Sequence, residues 1–117
     1  MAHVYSGKPL LAECGGMMAC FDSLDSHPMF GLLSGVVRMQ KRLAGLGLLS
    51  ADLPEGRLGG HTFHFSVTET PLASIAQAVT STGHGGEAIY RHRRLTASSM
   101  HFYFPANPFT AARLFLP

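Results

Sequence analysis

The 117-residue chain has no tryptophan, only two cysteines and only 14% charged residues, against about 25% in an ordinary globular domain. Cys14 and Cys20, six residues apart, make no disulfide framework and do not match the ligand spacing of a zinc site. That usage fits a reducing, cytoplasmic setting. No run is long and apolar enough to span a bilayer. The first residues, Met1-Ala2-His3-Val4-Tyr5, have no basic region leading into an apolar one, so no signal peptide is read. A formal net charge of +2 makes no case for nucleic acid. The one basic cluster, Arg91-His92-Arg93-Arg94, is short and free of interleaved aromatics, and reads as a solvated or interface loop. Hydrophobic content is 46%, ample for a core. So little charge predicts that apolar surface is covered by another domain or a partner, self-association included.

What is present is organised around Pro9-Leu-Leu-Ala-Glu-Cys14-Gly-Gly-Met-Met18. Pro9 to Ala12 reads as a buried parallel strand, and Met17 to Phe21 as a short buried helix. Cys14 then sits at a strand-to-helix corner between small residues, the layout of a nucleophile elbow. A thiol at a helix N-terminus feels the positive end of the helix dipole, which favours the reactive thiolate. The alternative is a small buried residue in a glycine-rich turn, and the local pattern leaves both open.

The rest of the chain reads as follows. Residues 1–8 are a lead-in; Ser6-Gly7-Lys8 lacks the upstream glycine and the following Ser or Thr of a phosphate loop. His27-Pro28 closes the first helix. Residues 35–40, 46–51, 61–66, 87–91 and 95–104 read as strands, and 52–60, with its glycines and Pro54, as a loop. Residues 71–86 read as an irregular excursion with some helical spacing from Leu72 to Val79. Asn107 and Pro108 cap and open a last helix reaching Leu116. There is no internal repeat, and the length allows one domain. A parallel strand feeding a helix, then several strands and a final helix, predict an α/β fold with a mixed sheet.

A cysteine nucleophile needs a base, usually histidine. His3, His27, His84 and His92 lie in polar surroundings and read as solvated. His61 and His64, three apart on a strand, point to opposite faces, which argues against a shared metal. His101, in Ala97-Ser-Ser-Met-His101, lies at the end of an apolar strand before a loop and helix, where sites gather in α/β sheets. It reads either as the base or as a satisfied core histidine, with no acidic residue nearby to orient it. Glu13 adjoins Cys14 but faces the other way along the strand, and is assigned a structural role.

These residues also carry a resemblance. Leu11-Ala-Glu-Cys-Gly-Gly16, His27-Pro-Met-Phe-Gly31, Arg38 with Leu43-Ala-Gly-Leu-Gly47, Gly60-His-Thr-Phe-His-Phe-Ser66, and Ala97-Ser-Ser-Met-His101 through Asn107-Pro108 occur in that order. Together they resemble the C-terminal glutamine amidotransferase domain of the cobyrinic acid a,c-diamide synthase family, from about residue 6 to 109. The resemblance implies a class I (triad-type) amidotransferase fold, a three-layer, flavodoxin-like α/β/α arrangement with a mixed sheet. It implies that the domain hydrolyses glutamine. The ammonia would pass to a separate ATP- and Mg²⁺-using synthetase domain that amidates the a and c carboxylates of a corrin precursor of vitamin B12. Cys14 matches the nucleophile and His101 the general base. The backbone N–H of Gly15 is the expected oxyanion donor, and Gly60 and His61 match a segment near the active site with no assigned role. No cofactor or metal is expected within the 117 residues.

There are departures. Many class I members carry Glu two residues after the His, where this chain has Tyr103; the cobyrinate branch commonly lacks it. The family often has Tyr at the position of Ser99 and a second His at Tyr103. A complete amidotransferase domain is roughly a third or more longer. Residues 1–117 are therefore read as the C-terminal portion of one, without the loop that carries a second oxyanion donor and without a synthetase domain. Rival readings are the related cobyric acid synthase, a catalytically silent module of the same fold, and a cysteine hydrolase acting on another amide.

Overall fold

The computed structural model describes residues 2–80, 83 and 85–116; the expectation for His84 lies outside them. A short helix α1 (Ala2–Tyr5) precedes β1 (Leu10–Glu13) and α2 (Gly15–Cys20). Then come β2 (Ser23–Leu24), β3 (His27–Pro28), β4 (Val36–Met39), β5 (Gly45–Leu53), β6 (Gly56–His64) and β7 (Ser66–Glu69). The chain continues with β8 (Ala76–Val79), β9 (Gly85–His92), β10 (Leu95–Ser98), β11 (His101–Phe102), a 3₁₀ turn (Phe104–Ala106) and α3 (Pro108–Arg113). Seven strands form one sheet in the order β1-β10-β9-β8-β5-β6-β11, and four form a smaller one, β3-β2-β4-β7. Both are mixed: β1 pairs parallel with β10 and β2 with β4, while the other pairs are antiparallel. The mixed α/β expectation holds.

β1 is apolar on both faces, as a buried parallel strand requires. Leu10 and Ala12 join a core with Val4, Met17, Phe21, Leu33, Val37 and Leu95 beneath α2. Leu11, pointing the other way, packs on a second core of Leu49, Leu58, Ile89, Met100 and Phe102 inside the larger sheet. β1 therefore ties the two cores together. Only Ser99 and Met100 separate β10 from β11, yet β10 pairs with β9 and β11 with β6. The row of strands thus curls round until its ends meet at this bend, where the Ser98 hydroxyl accepts the N–H of Met100.

Several local expectations are corrected. α2 ends at Cys20, not at His27-Pro28, because the returning chain takes up its last carbonyls: the N–H groups of Phe30, Gly31 and Leu33 donate to Ala19, Phe21 and Cys20. Residues 52–60 are not a loop. β5 and β6 form a nine-residue antiparallel pairing from Gly45↔His64 to Leu53↔Gly56, closed by Pro54-Glu55. Two glycines of β6, Gly56 and Gly60, serve close packing. A Cβ on Gly60 would collide with the carbonyl oxygen of His101 on β11. Residues 76–79, read with helical spacing, are a strand: Ala78 is buried while Gln77 is exposed, a period of two set by the slot between β5 and β9. The strand expected over 61–66 breaks at Phe65, and Ser66 starts β7 of the smaller sheet. The strand expected over 95–104 breaks after Ser98, and the last helix stops at Arg113. Asn107 caps that helix as expected, accepting from the N–H of Thr110.

The basic cluster closes β9 with Arg91 and His92 and turns into β10 through Arg93 and Arg94, and its arginines have partners within the chain. Arg91 pairs with Glu55 at 2.9 Å, Arg93 bonds the carbonyl of Tyr5 and covers its ring, and Arg94 bonds the carbonyl of Leu114.

Gly60→Ala tests the close β6–β11 approach. It is expected to cost about 1–3 kcal/mol and to lower the melting temperature by about 5–15 °C. Gly59→Ala, whose added carbon meets only ordinary contacts, is expected to cost far less. Equal melting of both variants in a thermal scan would show that the two strands do not press together.

Candidate active site

Cys14 links β1 to α2 with φ 50° and ψ −112°, a left-handed conformation that a side-chain-bearing residue adopts only when its surroundings enforce it. The enforcement is visible on both sides. The N–H of Cys14 donates to the carbonyl of Ser98 at 2.9 Å, extending the β1–β10 ladder, and its carbonyl accepts from Met18 at 3.1 Å, starting the helix. Gly15 and Gly16 follow; a Cβ on either would make only ordinary contacts, at 3.9 Å with Met18 and 3.8 Å with Ala12. The elbow expected from the sequence is thus formed. Cys14 is half-buried and carries a free thiol. Cys20 is buried in the α2 core, and burial pushes its thiol above the usual cysteine range.

His101 opens β11, its neighbour Phe102 buried while its own ring is half-buried. Glu13, the residue before the elbow, reaches across to this strand: its Oε2 accepts the N–H of Phe102 at 2.6 Å. This is the structural role expected of Glu13, and it clasps the end of β1 to the strand that holds His101. A groove of about 500 Å³ runs beside β1, lined by Glu13, Gly16, Cys20, Phe30 and His101 among others. The structure therefore brings the elbow and His101 to one end of the molecule, but no hydrogen bond joins the Cys14 thiol to the His101 ring.

Gly60 and His61 meet His101 directly. His61 is its cross-strand partner, and the two imidazoles stack with centroids 5.2 Å apart and planes 21° from parallel. His64 points the other way, as the spacing predicts. Its Nε2 lies 2.6 Å from Glu87 Oε1 and its Nδ1 3.0 Å from the carbonyl of Ser66. The Thr62 hydroxyl donates to the same Glu87 oxygen at 3.0 Å. The Ser66 hydroxyl also lies 3.3 Å from His64 Nδ1, so both ring nitrogens of His64 have partners. Glu87 also adds to burial in pushing the Tyr90 phenol up. Sequence reasoning missed Glu87 because His64 is 23 positions away and no local motif connects them. Tyr103, where other amidotransferases carry Glu, is exposed and contributes its backbone N–H to Gly59. No group of three metal-ligating side chains occurs among the described residues. No helix among them is long and apolar enough to cross a membrane.

A cysteine on a strand-to-helix corner, with a histidine on a strand clasped to it through Glu13, places the candidate site in an α/β protein. Comparison with known proteins narrows that class: a model of the CobB/CobQ-like glutamine amidotransferase domain matches residues 1–109, and the chain belongs to this family. Mixed sheets with few helices are consistent with its class I α/β fold. The chain is 49% identical to a hydrogenobyrinate a,c-diamide synthase of Stutzerimonas stutzeri over 122 aligned positions, which cover 99% of the chain and 28% of that protein. It is 48% identical to a cobyrinate a,c-diamide synthase of Herminiimonas arsenicoxydans with the same coverage. A cobyrinate a,c-diamide synthase of Listeria monocytogenes is 33% identical over 93% of the chain. The chain thus spans 28% of the length of these relatives.

Exposure and burial set the order of thiol reactivity. A glutamine-analogue alkylator followed by peptide mass spectrometry is expected to label Cys14 well before Cys20. Equal labelling, or labelling of Cys20 alone, would remove Cys14 from the site.

Proposed function

We propose that this chain is the glutaminase portion of a cobyrinate or hydrogenobyrinate a,c-diamide synthase, releasing ammonia from glutamine for amidation of the a and c carboxylates in cobalamin biosynthesis. The observation that carries the reading is the elbow at Cys14, a strained, half-buried thiol at the head of a helix, clasped through Glu13 to the strand of His101. Cys14 Sγ attacks the carboxamide carbon of glutamine, and His101 takes the thiol proton. The tetrahedral oxyanion forms beside the N–H of Gly15, which as the first residue of α2 has no place in the helical ladder. The intermediate collapses to a glutamyl thioester as the C–N bond breaks, and the departing nitrogen takes a proton from His101 and leaves as ammonia. Water, deprotonated by His101, then releases glutamate and restores the thiol. The thiol and imidazole approach further when glutamine is bound; catalytic hydrogen bonds often tighten only in the substrate complex.

Carboxylate activation needs ATP and Mg²⁺, and the residues present do not fit them. Ser6-Gly7-Lys8 is a turn whose hydroxyl bonds the carbonyl of His3, and the chain holds no phosphate-loop motif. That chemistry belongs to the part of the relatives outside the matched span, and the setting is cytoplasmic, in keeping with free thiols.

Two measurements test this. In a full-length synthase carrying this domain, His101→Ala is expected to lower glutamine-dependent synthesis by about 10²–10⁴-fold while synthesis from added ammonia persists. Equal loss of both would make His101 structural or part of the corrin site. The isolated 117-residue chain is expected to form no diamide, to release little glutamate and to self-associate through exposed apolar residues such as Phe30, Leu48 and Phe109, at 66%, 80% and 83% exposure. Rapid glutamate release from a sample of monomer mass in light scattering would overturn that expectation.

A further inference from the structure

We propose that His61 is a positioning residue for His101, holding the plane of its imidazole by stacking from the facing strand. This rests on the reading of His101 as the base. A catalytic imidazole ordinarily has its second nitrogen held by a carboxylate or carbonyl, which fixes ring orientation. His101 has no such partner: no described residue hydrogen-bonds its ring. The carboxylate that reaches its strand, Glu13, is engaged with the backbone N–H of Phe102. The position two residues on is Tyr103, which is exposed.

What does touch the ring is His61. Residues directly opposed on an antiparallel pair interact through their side chains, and here the register places His61 opposite His101. The rings lie 5.2 Å apart and 21° from parallel, within the range of an offset stack. β11 is only two residues long, so this geometry depends on how tightly it is held to β6. The flanking contacts hold it. Gly60, lacking a side chain, lets the His101 carbonyl approach, and the N–H of Tyr103 donates to the Gly59 carbonyl at 2.8 Å. The stack thus does by ring contact what a third, acidic member of a triad does by hydrogen bonding. It also gives the Gly60-His61 segment a role: the glycine sets the distance and the histidine sets the plane. Since the contact is between ring faces, it needs a flat ring at position 61 and no particular nitrogen.

The experiment compares His61→Ala, His61→Phe and His101→Ala in the 117-residue chain, with folding checked by thermal melting. The rate of Cys14 alkylation by a glutamine-analogue alkylator, which occupies the glutamine site, is read together with ring-to-ring cross-peaks between positions 61 and 101 in carbon-edited NOE spectra. The expected result is a three- to tenfold slower alkylation in His61→Ala, about what one aromatic pair corresponds to. His61→Phe is expected to restore both the rate and the cross-peaks, and His101→Ala to slow alkylation at least as much as His61→Ala. If His61→Ala reacts like the unaltered chain while His101→Ala is slow, the positioning role is overturned and the base survives. If His61→Phe is as slow as His61→Ala, the ring nitrogen and not the stack matters, and the proposal also fails. If His101→Ala itself reacts at the unaltered rate, it is the reading of His101 as base that falls.

Discussion

One hydrogen bond, from the N–H of Phe102 to the carboxylate of Glu13, connects the two strands of the candidate site. β1 carries the elbow and β11 the histidine, and the two strands do not pair with each other. Without the clasp, β11 is a two-residue strand held only at its β6 edge. An N–H bonded to a carboxylate is among the stronger hydrogen bonds a protein makes. Because it sits one residue from Cys14 and one from His101, little slack remains between the anchor and either group. The strain at Cys14 is sustained in the same way, by a backbone bond on each side of the elbow.

Features encoded locally were legible in the sequence. The elbow announces itself by an apolar strand, two glycines and an apolar helix in succession, and the Asn107-Pro108 cap by two adjacent residues. Features set by distant packing were not. The glycines of residues 56–60 look like loop residues, yet Gly56 admits the Thr110 side chain and Gly60 a carbonyl 41 positions further along the chain. Residues 76–79 have weak local preference and become a strand because neighbours on both sides offer unpaired backbone. Strand alternation turns Glu13 away from Cys14, but its partner on β11 lies 89 positions along the chain, beyond any local pattern.

The resemblance and the structure answer different questions. Five short motifs in register pointed to the amidotransferase family, and the family match over residues 1–109 bears that out. Neither says what Gly60 and His61 do, and it is the strand register that brings them against His101.

The pairing of β1 with β10 has a consequence for how the molecule comes into being. Leu10 finds its partner in Leu95, so most of the chain must emerge from the ribosome before the elbow has a strand beside it. Closing so long a loop is slow relative to making hairpins, and the β5–β6 hairpin forms from neighbours alone. Cys14 and His101 are therefore brought to one end of the molecule only when β10 and β11, contiguous in the chain, dock together. Assembly of the candidate site thereby falls late in folding, and a translation product halted before Leu95 carries Cys14 without the strand that holds the elbow.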